Sequence, residues 1–263
     1  KHTQIKSLNK AINIYKSPKH EVNIAMCGKY NSLHDAYKSI LEAFIHSGIE
    51  NDAKVNVKWI DTEKLEQNKD FNKFKNIDGI LIPGGFGDRG IEGKILSAQY
   101  ARENNIPFLG ICLGMQCAVI EFARNKCNLK NANSTEFKNK NPHPVIDLMP
   151  GQKNIKDKGA TMRLGKYSCT LSKNTNTYNS YKQTNINERH RHRYEFNNKY
   201  RDSLKKAGLV VAGINKKLDL VEVIELKDHN WFVGVQFHPE LKSRIVKVHP
   251  LFKDFISAAI KFK

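Results

Sequence analysis

The chain contains 263 residues, 40% of them hydrophobic, and carries a formal net charge of +18 at pH 7. This length and composition predict one globular domain with a buried core, and no apolar run approaches the ~18 residues of a membrane-spanning helix. The positive charge does not predict nucleic-acid binding, because the lysines are dispersed among asparagines and no RNA-recognition or zinc-finger signature accompanies them.

The first half of the chain alternates apolar, strand-like runs with amphipathic helical patterns. Residues 1–20 are polar and weakly helical, and we expect a linker there. The predicted strands cover residues 22–28, 55–60, 77–82 and 108–111. The predicted helices cover residues 34–47, 92–103 and 113–124. This alternation predicts an α/β fold with a doubly wound, mostly parallel central sheet and flanking helices.

The second half of the chain has a different pattern. Three apolar runs without intervening helices predict an additional region of antiparallel strands, and they cover residues 209–215, 220–226 and 231–236. A last helix is predicted at residues 250–262. Residues 172–187 are rich in Asn, Thr, Ser and Lys, so we expect a mobile surface loop or lid there; residues 151–158 are also polar.

A glycine-rich loop, residues 83–93, follows the predicted strand at 77–82. It is not a phosphate-binding P-loop, because Asp88 replaces the first glycine of that motif and Ile95 replaces its Ser or Thr. Adjacent glycines after a central strand let backbone N–H groups approach a reacting carbonyl closely. We therefore interpret the N–H of Gly85 as an oxyanion-hole donor. A plain tight turn is the alternative interpretation.

A second glycine-flanked turn contains Cys112. An apolar run ends in Gly110-Ile111-Cys112-Leu113-Gly114, and a helical pattern follows at once, which is typical of a nucleophile elbow. A cysteine at the start of a helix lies near the positive end of the helix dipole, which favours its thiolate. We predict Cys112 as the nucleophile and the N–H of Leu113 as the second oxyanion donor. The alternative is that Cys112 is a small core residue.

His238 and Glu240 end an apolar run near the C-terminus. Side chains two residues apart on an extended segment point the same way, and Pro239 disfavours helical backbone at the preceding residue. Glu240 is therefore expected to orient the imidazole of His238 and to stabilise its protonated form. Together with Cys112, these residues predict a Cys-His-Glu catalytic triad.

Residues 188–195 form the one dense basic block of the sequence, in which arginine and histidine alternate. The block predicts either a solvated charged loop or an anion site, because guanidinium groups bind carboxylates bidentately. The five cysteines are irregularly spaced and form neither a disulfide framework nor a C-x-x-C metal site. No signal-peptide pattern precedes them, so we expect a reducing, cytoplasmic location.

These motifs together resemble the class I (triad) glutamine amidotransferases, and within that class the glutaminase domains of the CTP synthases. The elbow and the His-Pro-Glu sequence at residues 238–240 carry the resemblance to the class. Four further blocks carry the resemblance to the CTP synthases, namely residues 83–90, 131–136, 159–165 and 188–195. The resemblance extends from about residue 22 to near the C-terminus.

The resemblance implies a division of the chain and a reaction. Residues 21–263 would form the glutaminase domain, and residues 1–20 would be a linker from an N-terminal synthetase domain that this chain lacks. Cys112 would attack L-glutamine, form a thioester and release ammonia. The residues expected to bind the glutamine are Gly85 and Leu113 at its reacting amide, and Gln116, Glu136 and Arg193 at its amino-acid end, where Arg193 would pair with the α-carboxylate.

The resemblance also implies partners for the whole protein. No cofactor and no metal are expected in this domain, whereas ATP and Mg²⁺ would bind the synthetase domain, which would also hold the UTP and CTP sites. The full-length protein would be a homo-oligomer without membrane or nucleic-acid partners. Three alternatives remain: the glutaminase of another class I amidotransferase, a γ-glutamyl peptide hydrolase, and a non-catalytic binding module.

Overall fold

The structure is a computed structural model that describes residues 2–29, 37–138, 140–148 and 162–263. Within them, the α-helices are α1 (His2–Lys16), α2 (Lys38–Glu50), α3 (Thr62–Asn68), α4 (Ile91–Glu103), α5 (Leu113–Lys126), α6 (Asn176–Tyr181), α7 (Arg201–Lys206) and α8 (Pro250–Phe262). The strands are β1 (His20–Gly28), β2 (Ala53–Asp61), β3 (Gly79–Ile82), β4 (Phe108–Ile111), β5 (Ala132–Ser134), β6 (His143–Leu148), β7 (Arg163–Leu171), β8 (Asn185–His192), β9 (Tyr194–Phe196), β10 (Leu209–Asn215), β11 (Leu220–Leu226) and β12 (Phe232–Val235).

Nine of the described strands form one mixed sheet, in the order β2-β1-β3-β4-β12-β11-β10-β7-β8. The pairs from β2 to β12 are parallel. The pairs from β12 to β8 are antiparallel. Helices α2 and α8 cover one face of the sheet, while α4 and α5 cover the other. The predicted α/β architecture, with parallel strands at its centre and an added antiparallel region, is confirmed.

Most predicted elements are found close to their predicted bounds. β4, β10, β11 and α8 begin and end as predicted. The helix predicted at residues 34–47 begins at Lys38 in the part of the chain that the structure describes, and it ends at Glu50. The polar residues 151–158, and the start of the block at 159–165, lie outside the described residues. The linker predicted at residues 1–20 contains α1, whose Ala11 is buried.

A small second sheet was not predicted. It consists of β5, β6 and β9, in that order, with β5 parallel and β9 antiparallel to β6. Two of its strands, Ala-Asn-Ser and Tyr-Glu-Phe, have only three residues each, which is too short for an alternation to be recognised. This sheet positions the segments that contain Glu136 and Arg193 beside the main sheet.

The prediction of a mobile loop or lid at residues 172–187 is wrong for much of that segment. α6 and the start of β8 lie within it, and the side chain of Thr177 is fully buried. The Glu225 carboxylate of β11 accepts hydrogen bonds from the N–H groups of Asn176 and Thr177, each at 2.8 Å. Thr175 caps the same helix by accepting from the N–H of Tyr178. These polar contacts order the start of α6, while Ile186, Tyr178 and Tyr181 pack into or against the hydrophobic core.

Replacing Glu225 should therefore destabilise the fold. In Glu225→Ala, two N–H groups at the start of α6 lose their acceptor, and the free energy of unfolding should fall by about 1–3 kcal/mol. Urea denaturation followed by circular dichroism measures the change. Glu66→Ala, on the exposed side of α3, is the control and should change stability by less than about 0.5 kcal/mol. Equal stabilities for the two variants would contradict this account of the segment.

Candidate active site

The turn at Cys112 has the backbone of a nucleophile elbow. Cys112 joins β4 to α5 with φ 51° and ψ −102°, a conformation that non-glycine residues rarely adopt. Its N–H donates to the carbonyl of Val235 on the neighbouring strand, at 2.7 Å. This bond ties the strained turn to the end of β12, and the side chain of Cys112 is 3% exposed.

The two glycines of the elbow are required by close backbone approaches. A Cβ atom on Gly114 would lie 2.2 Å from the carbonyl oxygen of Ile82. A Cβ atom on Gly110 would lie 2.8 Å from the carbonyl group of Gly114. Side chains at these positions would separate α5 from β3 and β4, and would therefore displace the cysteine.

His238 and Glu240 lie together, although not as an extended segment. The Nδ1 atom of His238 is 2.7 Å from Oε1 of Glu240. The expected extended backbone is wrong beyond His238, because Pro239–Lys242 form a 3₁₀ turn. Proline fits the first position of such a helical turn, since its missing N–H would have had no partner there. The turn, rather than strand alternation, brings the carboxylate to the ring.

The ring of His238 also lies against the elbow and the glycine loop. A Cβ atom on Gly84 would lie 2.7 Å from Cε1 of His238 and 3.5 Å from Cβ of Cys112, so the three residues meet closely. Burial disfavours the charged ring, but the negative charges of Cys112 and Glu240 outweigh burial and raise the pKa of His238 to about 10. Nε2 of the ring has no hydrogen-bond partner among the described residues. The site therefore favours the protonated ring of His238.

The predicted oxyanion donors come from adjacent segments. A Cβ atom on Gly85 would be 3.4 Å from Cδ2 of Leu113, so the glycine loop packs against the start of α5. Leu113 is the first residue of that helix, where N–H groups have no acceptor within the helix. A carbonyl oxygen next to Cys112 would therefore lie close to both segments.

Glu136 and Arg193 lie at the rim of the same site. Oε1 of Glu136 accepts from the N–H of Gly87 in the glycine loop, at 3.1 Å. Burial raises the pKa of Glu136, while the Gly87 hydrogen bond and the charge of Arg193 lower it in part. The Nε atom of Arg193 is buried and has no hydrogen-bond partner among the described residues. A cation with an unpartnered donor beside a carboxylate suits a ligand that carries both charges.

The sequence analysis did not single out Gln236, which links Gln116 to the predicted nucleophile Cys112. Nε2 of Gln236 lies 3.7 Å from Sγ of Cys112. Nε2 of Gln116 donates to Oε1 of Gln236 at 3.2 Å and to the carbonyl of Tyr194 at 3.0 Å. Gln236 stands two residues before the predicted base, and that proximity in sequence was the available signal.

The arginine–histidine block is mostly not a loop. In β8 the residues alternate strictly between exposed and buried, so Arg189 and Arg191 face solvent while His190 and His192 face the interior. The solvated-loop alternative is therefore wrong for this strand. Of the block's arginines, Arg193 is the one whose charge acts on Glu136.

Two buried side chains of the block, His190 and His192, belong to an ionic cluster next to the predicted triad. Arg163, which is 2% exposed, donates to Glu195 at 3.1 Å and to Glu222 at 2.6 Å. His190 and His192 share a hydrogen bond of 2.9 Å between their rings. Burial, together with the positive charge of Arg163, lowers the pKa of both rings, that of His192 to about 3. The two histidines are therefore neutral at physiological pH.

The two carboxylates of the cluster compete for one cation. Burial raises the pKa of Glu195 from 4.5 to about 8; Arg163 opposes this rise, and the nearby Glu222 adds to it. The pKa of Glu222 is raised as well, again mainly by burial. Because one guanidinium faces two buried carboxyl groups, one of the two is expected to stay protonated near neutral pH.

The raised pKa of Glu195 makes stability depend on pH. Between pH 4.5 and about 8 the folded chain keeps a proton that the unfolded chain has released. The free energy of unfolding should therefore fall as pH rises through that window, by up to about 1.4 kcal/mol per pH unit. Glu195→Gln imitates the protonated form. The free energy of unfolding of this variant should therefore depend less on pH between 6.5 and 8 than that of the parent chain.

Urea denaturation at several pH values measures this difference. His238 contributes a loss of the same sign between pH 6.5 and 10, but it does so in both proteins and cancels in the comparison. Glu66→Gln is the matched control, since that residue is exposed. Parallel stability curves for the parent chain and Glu195→Gln would show that Glu195 is ionised in the folded state at neutral pH.

The described residues contain neither a metal-binding cluster nor a membrane-spanning helix. No group of three or more His, Cys, Asp or Glu side chains in that part of the chain is arranged to hold a metal ion. No helix there is both long and apolar enough to cross a membrane.

Comparisons with known proteins are consistent with this site. The family model described as glutamine amidotransferase class-I matches residues 32–258. The CTP synthase of Caldanaerobacter subterraneus is 58% identical over 248 residues, which cover 94% of this chain and 46% of that protein. The CTP synthase of Clostridium kluyveri is 59% identical over 242 residues, which cover 92% of this chain and 45% of that protein. The chain thus spans a little under half the length of these relatives.

A solved structure is similar over nearly its whole length. It is the glutaminase domain of Trypanosoma brucei CTP synthase with bound acivicin. The match has a TM-score of 0.86 and 39% sequence identity, and it covers 91% of this chain and 94% of the other.

Proposed function

The chain belongs to the class I glutamine amidotransferases, and we propose from this membership that it is the glutamine-hydrolysing domain of a CTP synthase. The observation that carries the proposal is the meeting of Cys112, His238 and Glu240 at the end of the central sheet, with the ring held by a 2.7 Å contact to the carboxylate. The similarity to CTP synthases over more than nine tenths of the chain supports the more specific assignment.

The rim residues would bind the amino-acid end of L-glutamine. The guanidinium of Arg193 pairs with the α-carboxylate, for which its unpartnered Nε is suited. The carboxylate of Glu136, near Arg193 and bonded to the glycine loop, receives the α-ammonium group. Gln116 points its amide N–H groups at Tyr194 and Gln236, so its carbonyl oxygen is the group that remains for the substrate.

The proposed reaction begins at the sulfur of Cys112. The Cys112 thiolate attacks the side-chain amide carbon of glutamine, and the N–H groups of Gly85 and Leu113 receive the oxyanion that forms. The loss of one such donor costs on the order of 3 kcal/mol of transition-state stabilisation in comparable sites. His238 then protonates the departing ammonia, which leaves a γ-glutamyl thioester on Cys112.

Hydrolysis of the thioester completes the cycle. His238, now neutral, deprotonates a water molecule that attacks the thioester carbon, and glutamate leaves while the thiolate re-forms. Glu240 keeps the ring oriented through both steps and stabilises the imidazolium. Because Gly84 has no side chain, the ring of His238 can lie against the glycine loop.

The ammonia would serve a reaction that this chain does not perform. In a whole CTP synthase, a synthetase half would use ATP and Mg²⁺ to activate UTP, and ammonia would convert it to CTP. We propose that residues 1–20 connect that half to a glutaminase domain at residues 21–263, in a cytoplasmic homo-oligomer. No cofactor is needed for the glutaminase step itself.

A diazo-ketone analogue of glutamine tests the proposed function. The analogue should form a covalent adduct on Cys112, identified by peptide mass spectrometry, and excess L-glutamine should block it while L-asparagine should not. Arg193→Ala should raise the analogue concentration needed for half-maximal labelling by roughly ten-fold or more, because a charge-assisted carboxylate contact is lost. Arg191→Ala, on the solvent side of β8, is the matched control.

Two outcomes would contradict the proposed function, and a third would contradict the role of Arg193. An adduct on another residue, or none, would exclude Cys112 as the glutamine-directed nucleophile. Stronger protection by a γ-glutamyl dipeptide than by glutamine would instead favour a γ-glutamyl peptide hydrolase. Unchanged labelling of Arg193→Ala would remove that residue from the binding site.

A further inference from the structure

Gln236 occupies a position that is difficult to explain by packing alone. It is fully buried at the end of β12, where its backbone N–H donates to the carbonyl of Glu222 at 2.9 Å. Its side-chain amide is directed towards the elbow and contacts Sγ of Cys112 through Nε2, at 3.7 Å. This is within the range of a hydrogen bond to sulfur, which has a larger radius than oxygen.

The direction of this hydrogen bond follows from its neighbours. The carbonyl of Tyr194 can only accept, so the amide group of Gln116 that faces it must be the NH₂ group. The same NH₂ group has a second hydrogen, which it donates to the side-chain oxygen of Gln236. Gln236 must therefore present its own NH₂ group to Cys112. The Tyr194 carbonyl thus fixes the direction of each hydrogen bond in the relay, which runs from Tyr194 through Gln116 and Gln236 to Cys112.

We propose that Gln236 is a second hydrogen-bond donor to the nucleophilic sulfur, which favours the thiolate of Cys112 and fixes its position independently of His238. The proposal deepens the proposed function, and its turnover measurements rest on that function. Its chemical basis is that a buried anion needs donors in place of water. Cys112 is almost inaccessible to solvent, so each donor in contact with its sulfur contributes to stabilising the anion in place of water.

The neutral amide of Gln236 supplies a permanent hydrogen-bond donor, which the imidazolium of His238 cannot. His238 gives up its proton when ammonia leaves, and it must remove one from water before the thiolate re-forms. Gln236 does not titrate, so it keeps an N–H group directed at the sulfur throughout the cycle. The relay also connects the sulfur with Tyr194, which directly follows the proposed carboxylate-binding Arg193.

The test is the pH dependence of Cys112 alkylation by iodoacetamide, followed at the peptide level by mass spectrometry. Gln236→Met keeps a side chain of similar length but removes the donor. We expect the pH of half-maximal alkylation rate to rise by about one unit, which is a roughly ten-fold slower reaction on the acid side of the profile. Gln236→Glu should shift the profile further, since an ionised carboxylate repels a thiolate. Gln183→Met, at an exposed position, is the matched control.

A second variant keeps the proposal testable if Gln236 variants fail to fold, as judged by circular dichroism. Gln116→Met leaves Gln236 in place but removes the donor that fixes its amide, so the alkylation profile should shift in the same direction by a smaller amount. In folded Gln236→Met, kcat for glutamine hydrolysis should fall about ten-fold with little change in KM.

The outcomes separate this proposal from the proposed function, because alkylation needs no glutamine. A shifted alkylation profile in a chain whose Cys112 is not protected by glutamine from the diazo-ketone analogue would support the role of Gln236 and contradict the proposed function. Unshifted profiles in the folded variants of Gln236, or of Gln116 if the former do not fold, would overturn the role of Gln236 alone.

Discussion

The site depends on one strand pairing, the parallel contact between β4 and β12. These strands lie more than 120 residues apart in sequence, yet their register is fixed, with Phe232 opposite Phe108 and Val235 opposite Ile111. The hydrogen bond from the Cys112 N–H to the Val235 carbonyl extends this register into the turn. Because side chains alternate along a strand, a slip by one residue would turn both the donor and the base away from the sulfur.

The pairing determines which side chains can reach the cysteine. Gln236 and His238 leave β12 just beyond the pair formed by Val235 and Ile111, so both emerge where the elbow lifts Cys112 out of the sheet. The carboxyl ends of parallel strands are the usual location of sites in open α/β sheets. Glycines at positions 84, 110 and 114 then allow loop, helix and ring to approach within contact distance.

Charge near the site is balanced in a region with little water. The positive ring of His238 lies beside the Cys112 sulfur and the Glu240 carboxylate, and Arg163 with its two carboxyl partners forms a second ionic group. His190 and His192 stay neutral, so they add polar packing without adding positive charge near the ring of His238. Buried charges of this kind are stable only when each has a partner, and Arg163 has its partners in Glu195 and Glu222.

Local sequence patterns predicted the features that depend on residues close together in sequence. The elbow glycines, the helix that follows Cys112 and the long apolar strands were readable, because periodicity and backbone sterics act over a few residues. The helix α6 could not be predicted in this way, because it depends on the carboxylate of Glu225 from a strand distant in sequence. The inward-facing histidines and the contact of Gln236 with Cys112 likewise depend on partners far away in sequence. Family resemblance supplied the proposed substrate-binding residues, among which Glu136 and Arg193 would by their charges alone have suggested surface positions.

The measurement that tests the central claim most directly is the ultraviolet absorbance of the thiolate, taken as the difference between the chain and its Cys112→Ser variant at neutral pH. A sulfur anion stabilised by the imidazolium should give a clear difference spectrum, and His238→Asn should abolish it while the chain remains folded. If the folded chain shows no thiolate absorbance at neutral pH, or if His238→Asn leaves that absorbance unchanged, then Cys112 and His238 do not act as an ion pair and the account is wrong.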